Sequence, residues 1–263
     1  MNAKVKGLFV IIFHLLILFG IALLWLNSIR EQRSLHSNKV KIQIIKPSEE
    51  NELITEKEIQ NHLKLFYKRD YRKIKIRSLN TKELESYLNK LHVVRYANVY
   101  IDAGQNLRID LYQRDPVVRV IDLLGNQFYI DAEGRKIPNS ENYAARVPVA
   151  TGIIAKMEGN DIWKKQNIHY QSAFKIAQRV AADPFTKSLI EQINLDFEGN
   201  FILIPKIGSE KIILGNIENL NDKLEKLKFF YKEGLRYKGW NVYEEIDLKN
   251  NNIVVGRKHQ SET

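Results

Sequence analysis

The chain has 263 residues, 44% of them hydrophobic and 27% charged, with a formal net charge of +10. That balance excludes global disorder and fits two modest domains plus extras. The absence of cysteine excludes disulfides, thiolate catalysis and cysteine-ligated metals, while the positive charge admits anionic lipid or acidic protein partners.

Residues 7–26, GLFVIIFHLLILFGIALLWL, form an apolar run of 20 residues in which His14 is the one ionisable side chain. At 1.5 Å per residue such a helix reaches roughly 30 Å, the thickness of a bilayer's hydrocarbon core. A core helix would carry a polar stripe, and a cleaved signal peptide would end in a small-x-small site that Trp25-Leu26-Asn27-Ser28 does not offer. The run is therefore expected to be an uncleaved transmembrane anchor. The short tail before it and the large remainder after it favour the tail inside and the bulk outside. His14 reads as a tolerated passenger rather than a proton site.

A polar linker follows, and Val40–Ile45 then alternates apolar with polar residues as a strand ended by Pro47. Thr55 and Glu58 form a capping box, Ile54 and Ile59 a staple, and Ile59, Leu63 and Phe66 an apolar stripe. Asn80 and Glu83 repeat the device for a second helix with Leu84, Leu88 and Leu91. Between the helices, Lys68-Arg69-Asp70-Tyr71 and the basic residues up to Arg77 read as a solvated loop entering a short strand. Contact with anionic lipid or an acidic partner stays open there, and the anchor argues against nucleic acid. Ala97, Val99 and Ile101, then Leu107, Ile109 and Leu111, alternate with polar residues around Ala103-Gly104-Gln105-Asn106, a β-hairpin. The order strand, helix, helix, strand, strand implies a small sheet with two helices on one face. Pro116 interrupts the chain just after this hairpin, and a new apolar run starts at once.

Beyond Pro116, strands are expected at 117–121, 127–130 and 135–137, with a helix at 171–182 stopped by Asp183-Pro184. Strands at 190–197 and 201–207 flank Glu198-Gly199-Asn200, and 211–214 adds another. Asn219 is expected to cap a helix striped by Leu220, Leu224, Leu227 and Tyr231. Strands at 242–248 and 253–257 close the chain. The reading is an antiparallel sheet with two helices on one face, its last strand an edge open to another chain's strand.

No G-x-S-x-G, H-E-x-x-H, G-x-G-x-x-G or Walker sequence occurs, and the six histidines lie scattered. No catalytic, metal-binding or cofactor-binding residue is therefore assigned, and the chain is not expected to be an enzyme. A membrane-tethered periplasmic hydrolase built from dispersed residues stays as one alternative. A POTRA-bearing transport or assembly factor is another, although the paired lipid-facing strands of a barrel do not follow Asp115.

Five stretches stand out: Val94-Arg95-Tyr96-Ala97-Asn98-Val99 with Leu107-Arg108-Ile109-Asp110-Leu111-Tyr112-Gln113-Arg114-Asp115-Pro116; Tyr129-Ile130-Asp131 with Gly134; Val147-Pro148-Val149-Ala150-Thr151-Gly152; Lys211 to Gly215 followed by Lys223 to Leu227; and Ile246-Asp247-Leu248-Lys249. In this order they resemble the FtsQ/DivIB family of bacterial cell-division proteins. Gln113 stands where the family usually has an acid, and Val118 where it has alanine. The resemblance implies an α+β protein: a cytoplasmic tail (1–6), a transmembrane helix (7–26), a linker (27–38), a POTRA-like β-α-α-β-β domain (39–115), an antiparallel β domain with flanking helices (116–258) and a polar tail (259–263). It implies a non-enzymatic septation scaffold in the cytoplasmic (inner) membrane at the division septum, with its bulk in the periplasm and its N-terminus inside. Its expected partners are an FtsB/DivIC-like and an FtsL-like protein, which link early and late divisome components, with no nucleic acid. The FtsB-type partner would add a strand at Lys249, Asn250, Ile253, Val254, Val255, Gly256 and Arg257.

Overall fold

The computed structural model describes residues 13–26, 39–47, 52–71, 74, 78–139, 144–235, 242–250 and 253–258. The expected tails 1–6 and 259–263, the linker 27–38 and residues 75–77 lie outside them. Residues 13–26 form a helix, α1, with apolar side chains exposed along its length. Among the described residues no helix is long and apolar enough to cross a membrane; residues 7–12 of the expected span are not among those described. The rest of the chain divides into two compact units.

The first unit has the expected element order: β1 (Val40–Ile45), α2 (Glu56–Tyr67), α3 (Thr81–Leu88), β2 (Val94–Ile101) and β3 (Leu107–Gln113), with the sheet ordered β1-β3-β2. Helix α2 starts at a complete capping box: Glu58 N donates to Thr55 Oγ1 at 3.3 Å and Thr55 N donates to Glu58 Oε2 at 2.8 Å. At α3, Glu83 N donates to Asn80 Oδ1 at 3.2 Å. Ile59, Leu63, Leu84 and Leu88 from the helices and Ala97, Ile109 and Leu111 from the strands are buried, as the two periodicities require. The basic loop is not wholly solvated. Tyr71 and Ile74 are buried within it.

The second unit is a nine-stranded sheet ordered β12-β11-β10-β9-β8-β7-β4-β5-β6. Its strands are β4 (Pro116–Ile121), β5 (Gln127–Asp131), β6 (Lys136–Pro138), β7 (Val149–Gly152), β8 (Ile190–Leu195), β9 (Phe201–Pro205), β10 (Lys211–Gly215), β11 (Tyr243–Asp247) and β12 (Val255–Lys258). The sheet is mixed, not antiparallel as expected. β4 pairs with β7, β7 with β8, and β10 with β11 in parallel. The cause is topological: β7 reaches β8 through α4 (Ile168–Ala182), and β10 reaches β11 through α6 (Leu220–Phe229). A helix that carries the chain back to the starting end of the sheet makes the next strand parallel. Asp183-Pro184 does not only stop α4. Asp183 Oδ1 accepts from Phe185 N and Thr186 N at 2.9 and 3.1 Å, so it caps a further helix, α5 (Pro184–Leu189), with proline in its first turn. Asn219 precedes α6 in a left-handed conformation and makes no side-chain cap, contrary to expectation.

One continuous core joins the helices to one sheet face, from Val118 and Phe128 through Phe174, Ile176 and Val180 to Leu203, Leu224 and Ile246. On the other face Leu53, Tyr129 and Ile137 form a smaller cluster with Val93, Ala145 and Val147. Gln113, buried, accepts from Leu53 N at 2.6 Å, and buried Arg114 donates to Asp131 Oδ2 at 2.6 Å. The segment before Pro116 is thus held by polar bonds that a water-exposed linker would not need.

Four turns share one chemistry. In 102–106, 122–126, 131–135 and 196–200 the leading aspartate Oδ1 accepts from the amide of the fifth residue at 2.9, 2.9, 2.7 and 2.8 Å. The fourth residue has a positive φ: Gln105 60°, Gly125 79°, Gly134 79° and Gly199 83°. Three of the four use glycine, the residue to which that conformation costs least.

Candidate partner-binding edge

Each sheet has two edges, and an edge strand is a template for a foreign strand unless its backbone groups are engaged. At β2, Ala97 N donates to Asn89 Oδ1 at 2.9 Å and Val99 N donates to Glu85 Oε2 at 3.0 Å. Two side chains from the end of α3 therefore occupy that edge. At β6, Lys136 N donates to Asn160 O at 2.9 Å and Arg135 bridges to Asp161, so a loop of the same unit lies along it. β1, six residues long, also ends its sheet; it carries exposed Lys41 and Gln43 and is followed by Pro47. β12 ends the sheet order of the second unit, with no strand on its outer side among the described residues.

The register fixes what β12 presents. Asp247 lies opposite Val255, Ile246 opposite Gly256, and Glu245 opposite Arg257. Strand alternation puts Val255 and Arg257 on one face, beside Asp247 and Glu245, and Gly256 on the face of buried Ile246. Arg257 Nη1 is 3.4 Å from Glu245 Oε1, a cross-strand ion pair with the arginine largely exposed. Gly256 is there for space: a Cβ would stand 2.5 Å from Tyr243 Cε1 and 2.6 Å from Cδ1. Tyr243 packs on Phe230 with ring centroids 5.3 Å apart.

All seven residues expected at the site lie along this end of the sheet, although the strand is shorter than expected. Ile253 is exposed, Val254 is half-buried, and both precede β12. The reason lies in β11. Lys249 N donates to Asp247 Oδ1 at 2.8 Å and Leu248 N donates to Ile213 O at 2.9 Å. Leu248 N to Ile213 O is the last bond of the parallel β10–β11 ladder, and the Asp247 side-chain turn ends β11 there, so Ile253 and Val254 have no β11 residue to pair with. Lys249 and Asn250 are exposed in the turn, and the Lys249 stem covers Gly215, where a Cβ would meet its Cγ at 2.9 Å.

Two features beside the edge were not expected from sequence. A cleft of 490 Å³ is bounded by Phe229, Phe230, Gly234 and Val254 with Glu225 and Lys226. Phe229 lies off the stripe of Leu220, Leu224, Leu227 and Tyr231 and stays largely exposed there. Lys223, in the first turn of α6, is buried. Its Nζ donates to Leu214 O and Asn216 O, both at 3.0 Å, and to Asn216 Oδ1 at 3.2 Å, closing the turn after β10. Burial draws its ammonium below the ordinary lysine range, with Glu218 and Asp247 opposing.

Among the described residues no group of three or more histidines and carboxylates could hold a metal ion. What the arrangement does offer is a backbone edge with exposed apolar and charged side chains, the means of strand addition.

Comparison with known proteins agrees in domain order. Residues 115–257 match a family model described as FtsQ/DivIB, C-terminal related, and residues 36–112 match a POTRA-like domain. No curated protein matches the chain.

Proposed function

The chain belongs to the FtsQ/DivIB family, whose members are non-enzymatic cell-division scaffolds of the septum, and on that footing we propose that it receives an FtsB/DivIC-like partner on β12. In this reading the partner, together with an FtsL-like protein, links early to late division components. The apolar run of residues 7–26 anchors the scaffold in the cytoplasmic membrane as a single pass, with residues 39–115 and 116–258 outside as POTRA-like and β domains. The observation that carries the reading is the contrast within the second unit's sheet: β6 is engaged by a loop of its own unit, while β12 has no strand on its outer side among the described residues.

The test is capture of the partner from solubilised membranes by wild type and by Val255→Pro, which deletes a backbone donor from the edge strand. Wild type is expected to retain an FtsB-like protein, and the variant to lose it while its thermal unfolding stays within a few degrees. Undiminished capture by the variant refutes the edge. In cells, depletion is expected to give filaments without septa and a fluorescent fusion to collect at midcell; uniform membrane fluorescence with normal division refutes the scaffold.

A further inference from the structure

Where β4, β7 and β8 begin, a cleft of 830 Å³ opens between the sheet and the C-terminal end of α4. That is within the roughly 300–1,000 Å³ of small-molecule sites. Its floor is apolar: Val180 and Ile190 are buried, and Val117, Val147 and Val149 are half-buried. Its rim is charged, with exposed Arg146, Lys187 and Lys206 against Asp115 and Glu191. Lys206 Nζ donates to the Lys187 carbonyl at 3.1 Å, a neutral acceptor that leaves the ammonium charge in place. Of the two acids, Asp115 is half-buried, and burial followed by the Asp131 carboxylate pushes its carboxyl above the ordinary range. Three cationic side chains against two carboxylates leave the rim net positive, which favours an anion.

The backbone restricts the occupant further. β4, β7 and β8 are interior strands, each flanked by a neighbour on both sides. A peptide laid in the cleft would bring amides with no ladder to join, and each buried unpaired amide costs roughly 1–3 kcal/mol. An alkyl chain brings none.

We propose that this cleft binds an amphiphilic anion, its apolar chain over the valine floor and its single phosphate or carboxylate head at the Arg146, Lys187 and Lys206 rim. The cleft shares no residue with the β12 edge, so the two assignments stand or fall separately.

The probe is octyl phosphate, dialysed to equilibrium against the full chain in nanodiscs of neutral lipid, with empty nanodiscs as the reference. Saturable binding of one molecule per chain is expected. It should weaken at least tenfold in Lys187→Glu/Lys206→Glu and vanish in Ala181→Trp, which sets an indole at the cleft from an exposed position of α4. Octanoate should compete and inorganic phosphate should not. Unchanged thermal unfolding and an unchanged circular dichroism spectrum show that both variants remain folded. Uptake no greater than that of empty nanodiscs overturns the proposal, as does saturable binding indifferent to both variants. Competition by inorganic phosphate at equal concentration overturns the requirement for an alkyl chain. An acidic peptide that binds where octyl phosphate does not overturns the choice of ligand.

Discussion

Replacing Gly256 by alanine probes the edge with the smallest possible change. The added methyl would stand 2.5, 2.6 and 3.2 Å from three ring carbons of Tyr243, so the tyrosine must leave its position. It cannot do so without giving up Phe230, whose ring centroid is 5.3 Å away. Loss of such an aromatic pair costs about 0.5–1.5 kcal/mol, and overpacking adds about 1–3 kcal/mol. Relief by rotation of an only half-buried ring offsets part of this, and a net destabilisation of about 1–3 kcal/mol is expected. For a domain of this size that is a fall in Tm of roughly 2–10 °C. The assay is thermal unfolding of Gly256→Ala, Tyr243→Ala and the double variant, followed by partner capture. In the double variant the alanine at 256 should cost almost nothing, giving a coupling of about 1 kcal/mol or more. If Gly256→Ala costs the same with and without the tyrosine ring, the glycine is not there for space and the account of the edge fails.

Three other outcomes follow from the same geometry. Asn89→Ala removes the side chain that accepts from Ala97 N at 2.9 Å, and is expected to destabilise the first unit by about 1–3 kcal/mol and to speed amide exchange at Ala97; unchanged exchange there counts against a closed edge. Lys223→Met leaves the Leu214 and Asn216 carbonyls without their donor and should cost about 1–3 kcal/mol in chemical denaturation, and a neutral result would mean that water replaces the ammonium without loss. Asp183 has its carboxyl held below the ordinary range, first by the Lys228 hydrogen bond at 2.6 Å and then by the Thr186 amide. A depressed carboxylate contributes stability above its unfolded value near about 3.9 and loses it as pH falls through the folded value. The Tm gap between wild type and Asp183→Asn should therefore be present at neutral pH and close on acidification, whereas a gap independent of pH contradicts the pairing.

Much of the fold was legible because it is written in local chemistry. Thr55 with Glu58 and Asn80 with Glu83 mark helix starts within four residues, and alternation around Ala97 and Ile109 marks a half-buried sheet. What escaped was set by topology or by tertiary contact. β7 has four residues and too little alternation to announce itself, yet it makes the sheet mixed by receiving β4 and β8 in parallel. Asp183 serves as the end of one helix and the cap of the next, and a stop signal hides a start signal at the same residue. Lys223 looks like any lysine on a helix surface until the carbonyls of Leu214 and Asn216 are brought over it. At the site, the position of the last strand was readable but its length was not, because pairing ends where Asp247 turns the chain aside.

The edges also bear on how the proposed strand-binding site avoids indiscriminate pairing. A flat apolar edge invites self-association, and natural sheets blunt it with charge, short strands or cover. Here cover is used at β2 and β6, while β12 combines short length with charge: four residues, Arg257 beside Glu245, and Lys258 following. Paired in parallel and in register, a second copy of β12 would bring arginine to arginine and lysine to lysine, a repulsive match. A partner strand with an acidic residue opposite Arg257 and an apolar one beside Val255 meets no such penalty. The same two charges that discourage self-pairing thus select for a partner of opposite sign. Arg257→Glu is expected to release both constraints at once, weakening partner capture while leaving the fold, with an arginine two-thirds exposed, nearly unchanged. Capture that survives charge reversal would mean that the edge is read through its backbone alone.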